Sequence, residues 1–266
     1  MGIINVTPDS FSGDGTRGDI NSALSIALRM QDDGADIIDI GGESTRRYNN
    51  QKPADPIPLS EELRRLLPVV EHLYGKLEIP ISIDTYKAEV AKQCINLGAS
   101  MINNVWGVRN EIEMIKAIAE SKVPTVVMHN QTTSLYSELI DDIIKSLDNS
   151  IKLHLEYGVK RENIIIDPGI GFGKTADQSI QIESRLREFH CLGQPLLAGP
   201  SRKSHIGMLL NDVPANERLE GTCAAVSLCI AGGADIVRVH DVRQISSVVK
   251  VSDAIVRGWR PDGWNS

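Results

Sequence analysis

Short runs of β-branched apolar residues alternate along the whole chain with longer stretches in which apolar residues recur every three or four positions. The short runs have the length and composition of buried strands, and the longer ones have the period of amphipathic helices. Eight strands are read at residues 2–6, 37–40, 81–83, 101–103, 125–128, 164–167, 196–198 and 236–239. Helices are expected between and after them. One is 60–73, opened by a serine cap and early glutamates; another is 111–121, with Ile112, Ile115 and Ile118 on its apolar side. Segments 34–38, 98–102 and 233–237 repeat one pattern, Gly-Ala-Asp or Gly-Ala-Ser followed by two apolar residues. A glycine there ends a helix in the left-handed conformation, and a short loop launches the next strand. Eight such units in 266 residues predict an α/β fold, a (β/α)8 TIM barrel, as a single domain over 1–266.

Composition narrows the function more than the fold. Lys and Arg number 28 against 35 Asp and Glu, a net charge of −7, which argues against a nucleic-acid or anionic-membrane surface. Any anion must therefore be bound by a local group of cations. No apolar run approaches the roughly 18 residues of a membrane span, and MGIINVTPDS lacks the charged start of a secretory signal, so a cytoplasmic protein is expected. Cys94, Cys191, Cys223 and Cys229 form no C-x-x-C pair and are read as reduced buried thiols.

Chemistry in such a barrel collects at the carboxyl ends of the strands. Polar residues fall there repeatedly: Asn5; Glu43 to Arg46; Asp84; Asn103 and Asn104; His129 and Asn130; Asp167; Ser201 to Ser204; Arg238 and His240. Singly, each has an ordinary reading, such as Asp167 starting a loop before Pro168, or His129 as a core histidine. Convergence of eight strand ends outweighs those readings. Arg17, Arg64, Arg65, Lys92, Lys116 and Arg161 lie in or beside helices and are expected to face water. Asp84, Asn103 and Asp167 suit a flat heterocycle with several N–H donors, whereas Lys203, Arg238, His240 and Thr45 suit a phosphate or diphosphate. Asn5 offers one neutral oxygen to Mg2+, which completes its shell with water and substrate phosphates.

The stretch IIIDPGIGFGKT, 164–175, resembles a phosphate-binding P-loop, but the spacing G-x-x-x-x-G-K-[ST] requires a glycine where Pro168 stands. Proline has no N–H and a fixed φ, so its chemistry is placed at Asp167 and Lys174 is read as a bystander.

Seven blocks together, NVTPDSFSGDG, GGESTR, SIDT, INN, DPGIGFGKT, SRKS and RVHDV, resemble dihydropteroate synthases in order and spacing over nearly the whole chain. That resemblance implies a barrel enzyme that joins para-aminobenzoate to (7,8-dihydropterin-6-yl)methyl diphosphate, releasing pyrophosphate, in folate biosynthesis. It implies catalytic Lys203, Arg238 and Asp167, with Asp84, Asn103, Asp167, Lys203 and Arg238 holding the pterin. It puts Asn5, Thr45, Arg238 and His240 on the diphosphate, Mg2+ on Asn5, and para-aminobenzoate near Phe11, Thr45, Arg46, Phe172, Lys203 and Ser204. A homodimer through outer helices is the implied assembly.

Three departures from the family pattern stand out. The chain starts directly on the first strand, so a bottom cap of the barrel is expected to be missing; the first loop reads SFSGDG, moving its acid to Asp14; and Arg47 followed by YNNQK replaces the usual Pro-Gly. A longer loop there is expected to alter discrimination between para-aminobenzoate and sulfonamide mimics. A pterin-binding methyltransferase acting on methyltetrahydrofolate would share the Asp and Asn pocket without needing the SRKS and RVH cations. A non-catalytic pterin-binding paralogue would be expected to lose Lys203, Arg238 or Asn5, and all are present.

Overall fold

The computed structural model describes residues 1–7, 19–43, 56–105 and 111–264, the side chain of Glu111 excepted. Parallel strands β1 (Gly2–Asn5), β2 (Ile38–Gly41), β3 (Ile81–Asp84), β4 (Met101–Asn104), β5 (Thr125–Met128) and β6 (Ile164–Asp167) pair in sequence order. Two short strands, β7 (Leu197–Ala198) and β8 (Ile236–Val237), form a second parallel pair. Parallel bridges Ile166↔Leu196 and Gly2↔Val239 join the two sheets at both edges, so the eight strands close into a ring. Closure leaves no unpaired edge and gives the inside one lining.

Helices α1 (Ile20–Asp32), α2 (Leu59–Leu73), α3 (Ala88–Asn96), α4 (Glu111–Ser121), α5 (Leu139–Glu156) and α6 (Ala176–Ser184) each follow the strand of the same number. After β7 the chain makes the short α7 (Ser204–Leu209) and then α8 (Leu219–Ala231), and α9 (Val242–Val256) follows β8. The period of two along each strand divides the apolar residues into two cores. Ile4, Ile38, Ile83, Ile102, Ile164 and Ile166 point outward and bury against the helices. Met1, Met101, Val126, Ile165 and Leu197, with Ile37 and Ile236, fill the bottom of the barrel. Above that apolar plug the inward positions become polar, and this change sets the level of the site.

Several local readings need correction. Helix α2 starts at Leu59 with Pro58 as its cap and no side-chain cap bond, so Ser60 lies inside the first turn. Proline's fixed φ is already set for helix entry. In α4 Ile115 and Ile118 are buried as expected, with Met114 and Ala117 beside them, while Ile112 is exposed. Strand β8 ends at Val237, so Arg238 and His240 lie beyond it, although Arg238 N–H still donates to Ala198 O at 2.9 Å. Of the four thiols, Cys94 and Cys229 are buried, Cys223 is intermediate and Cys191 is exposed.

Candidate active site

The upper interior of the barrel is built from one register row. Asn5 pairs with Gly41, Gly41 with Asp84 and Asp84 with Asn103, so four neighbouring strands deliver these residues at one height. Gly41 leaves space between its neighbours: a Cβ there would sit 3.7 Å from both Asn5 Oδ1 and Asp84 Oδ2. Asn5 is half-buried, and its side chain takes no hydrogen bond among the described residues. One amide oxygen beside a carboxylate fits an ion such as Mg2+, which takes few protein ligands.

Arg238 reaches across the ring into this row. Its Nε donates to Asp39 Oδ2 at 2.6 Å and its terminal amino group donates to Asp84 Oδ2 at 2.8 Å. Asn103 Nδ2 donates to the same Asp39 oxygen at 2.9 Å. Burial works to lower the Arg238 pKa, but Asp39 and Asp84 outweigh it, and the guanidinium is held above its ordinary value. Asp39 Oδ1 and Asn103 Oδ1 are buried acceptors with no hydrogen-bond partner among the described residues. Such atoms are costly unless something donates to them, which makes this wall suited to a ligand rich in N–H groups.

Asp39 was missed in the sequence, although a signal for it existed. A carboxylate at the middle of Ile-Ile-Asp-Ile-Gly sits in an otherwise apolar buried strand, and an unpaired charge does not persist there.

Asp84 is strongly perturbed. Burial, reinforced by Asp39, Glu62 and Glu43 and opposed by Arg238, pushes its carboxyl from 3.8 up to about 7. A folded pKa raised above the unfolded one gives stability that is complete below the unfolded value and lost as pH climbs through the folded one. The contribution of Asp84 therefore falls between 3.8 and about 7. An Asp84→Asn variant is expected to lack that part of the slope when urea midpoints are followed across this range. A wild-type minus variant difference that stays constant with pH would refute the assignment.

The loop after β6 forms the next wall. Asp167 is buried and accepts from Gly169 N–H at 2.7 Å. Burial raises its pKa, opposed by that N–H and by the charges of Lys203, Lys174 and Arg238. Lys203 places its ammonium 4.1 Å from the centre of the Phe172 ring, a cation–π contact. Ser204 begins α7 and is exposed. The loops after β7 and β8 are tied together: Ser201 Oγ lies 2.9 Å from His240 Nδ1, and Arg202 grips Asp241 through two bonds of 2.9 and 2.6 Å.

Asp84, Asn103, Asp167, Lys203, Phe172 and Arg238 thus come from five loops or strand ends to one mouth, with Asn5 on its β1 side. Phe11, Thr45, Arg46, Asp14 and residues 47–52 lie outside the described residues. The base of the second loop is visible: Glu43 accepts from Lys87 Nζ at 2.5 Å, and Lys87 also pairs with buried Glu62. Thr85 Oγ1 donates to Glu62 at 2.6 Å. Arg65, expected in water, instead donates to Gly42 O at 2.9 Å with its side chain 14% exposed. Lys174, read as a bystander to the chemistry, is half-buried and bonds across the loops after β5 and β6, and Thr175 is the N-cap of α6, forming a capping box with Gln178.

The model of the Pterin binding enzyme family matches residues 1–240. The chain is 47% identical over 256 residues to the dihydropteroate synthase of Bacillus subtilis (strain 168), covering 96% of this chain and 88% of that protein. Among solved structures it is similar to a Clostridium difficile dihydropteroate synthase determined in the presence of pteroic acid. The TM-score is 0.89 with 46% identity, over 97% of this chain and 96% of that one. The Xanthomonas albilineans dihydropteroate synthase determined with 4-aminobenzoic acid gives a TM-score of 0.88 and 36% identity, over 98% and 93% of the two chains.

Proposed function

The chain belongs to the dihydropteroate synthase family, and from that premise we propose how its barrel mouth, in one domain over 1–266, joins a pterin to an arylamine. The observation that carries the proposal is the meeting of acceptors and cations in one mouth: Asp84, Asn103 and Asp167 on one side, Lys203 and Arg238 on the other. The pterin lies on that acceptor wall. Asp167 accepts from its amino and ring N–H groups, Asn103 Oδ1 accepts another, and Lys203 donates to its oxygen or ring nitrogen. Arg238 packs on the pterin face and, with His240 and Thr45, holds the diphosphate. Para-aminobenzoate sits near Phe11, Thr45, Arg46, Phe172, Lys203 and Ser204.

Displacement follows from that arrangement. The methylene C–O bond breaks, its electron pair leaves with pyrophosphate, and positive charge spreads from the methylene carbon into the pterin ring. The arylamine lone pair then forms the C–N bond, and the nitrogen releases its proton. No nucleophilic side chain is required, so Arg238 and Lys203 act by stabilising charge and positioning the two substrates. Asn5 would supply the protein oxygen to Mg2+, which when bound offsets the charge of the departing pyrophosphate. Pyrophosphate release is expected only when pterin diphosphate and para-aminobenzoate are both present. Methyl transfer from methyltetrahydrofolate, with no such release, would replace this reading with the methyltransferase one.

We also propose a homodimer through the outer helices. Leu228 of α8 and Val251 and Ile255 of α9 are exposed apolar residues on two helices that pack together, and association would cover them. Leu228→Glu with Ile255→Glu is expected to yield monomers in sedimentation velocity. An unchanged sedimentation coefficient would reject these helices as the interface.

A further inference from the structure

Lys174 belongs to the motif that suggested a phosphate loop, and nothing in the proposed reaction uses it. It is nevertheless half-buried, and its ammonium is fully provided with acceptors. Nζ donates to the carbonyl oxygens of Phe172 at 2.9 Å and His129 at 3.3 Å and lies 3.0 Å from His129 Nδ1. Three acceptors match the three N–H bonds of an ammonium. Burial first, then the charge of Lys174, depresses the His129 pKa to about 3, so the ring is a neutral acceptor.

These contacts tie two loops together at a close approach. Gly169 has φ of +73°, and a Cβ there would lie 2.0 Å from His129 O; at Gly173, φ +59°, it would lie 2.2 Å from Gln131 O. The turn after Asp167 is therefore pressed against the loop after β5, and Lys174 bonds across the contact. The backbone oxygen it holds belongs to Phe172, whose ring carries the Lys203 ammonium.

We infer that Lys174 is a positioning residue for the second-substrate side of the mouth: by tying Phe172 to His129 it fixes the Phe172 ring. The inference rests on the proposed reading of Phe172 as a group that meets para-aminobenzoate. Lys174 itself touches neither substrate.

A Lys174→Met variant keeps the length of the stem and removes the donors. It is expected to raise the KM for para-aminobenzoate about tenfold, roughly the net worth of one hydrogen bond, while kcat and the KM for pterin diphosphate change less than about twofold. The wild type supplies a second measurement that needs no variant to fold. Burial, with Lys203 adding and Asp167 opposing, brings the Lys174 pKa down to about 7. The charged and titratable groups facing Lys174 and His129 are Asp167 at the end of β6, Lys203 from the loop after β7, Tyr136 from the segment before α5 and Asp142 from α5. Loss of the proton removes one donor, so the wild-type KM for para-aminobenzoate should rise as pH passes through about 7; in Lys174→Met it should be flat at the raised value. A flat wild-type profile overturns the inference, as does an equal loss for both substrates in the variant. Pyrophosphate release that ignores para-aminobenzoate in the wild type would instead overturn the reading on which it rests.

Discussion

An Asp167→Asn variant is expected to lose about a thousandfold in kcat/KM for pterin diphosphate with little change in thermal midpoint. Asp167 is buried at the end of β6 and one of its oxygens already accepts from Gly169 N–H at 2.7 Å. In the proposed complex its remaining acceptor capacity takes the pterin amino and ring N–H groups. Hydrogen bonds to a charged acceptor are worth roughly 1.5–3 kcal/mol each, and asparagine also turns one acceptor into a donor facing a donor. Two such bonds amount to about 4 kcal/mol, or roughly a thousandfold. The fold need not suffer, because asparagine Oδ1 can keep the Gly169 bond. Steady-state kinetics at saturating para-aminobenzoate measure the loss; a variant within tenfold of wild type would remove Asp167 from the pterin wall.

The barrel was readable from the chain because its information is local and repeated. Runs such as Ile81–Asp84 and Ile164–Asp167 are buried on both faces, as parallel strands must be, and the helix-ending glycines mark each return. The gathering of polar residues at the strand ends was readable for the same reason, since Asp84, Asn103 and Asp167 each lie at the carboxyl end of an apolar strand. What was missed depends on contacts distant in sequence. Asp39 is a partner of Arg238, 199 positions away, and no periodicity reports such a pairing. Lys174 was read as a bystander once Pro168 ruled out a phosphate loop, whereas two of its acceptor atoms belong to His129, 45 positions earlier. Arg65 was assigned to solvent by its place on a helix, but an arginine stem lies along apolar surface and delivers its head to Gly42 O. Propensity places elements, and burial of charge is decided only when the elements meet.

Asp39 gives the strongest expected effect on stability. It is fully buried, and its Oδ2 accepts from both Arg238 Nε and Asn103 Nδ2. Asp39→Ala would strip one carboxylate from the guanidinium and leave the Asn103 amide without its acceptor. Removing one partner of a buried ion pair costs about 3–5 kcal/mol, because the other charge stays behind uncompensated. The lower end, about 3 kcal/mol, is expected here, since Arg238 keeps Asp84 and its side chain remains 18% exposed. If the cost is the stranded charge, removing that charge should relieve it. Asp39→Ala combined with Arg238→Met is therefore expected to be more stable than the sum of the single changes by about 1–3 kcal/mol in urea unfolding at neutral pH. Asp84 can follow by taking up a proton, since its pKa is already raised to about 7 and loses the one cation that lowers it. Strict additivity would mean that Asp39 stabilises the barrel by packing alone. Coupling would mean that the carboxylate keeps a cation buried at the mouth, where the proposed reaction draws on one.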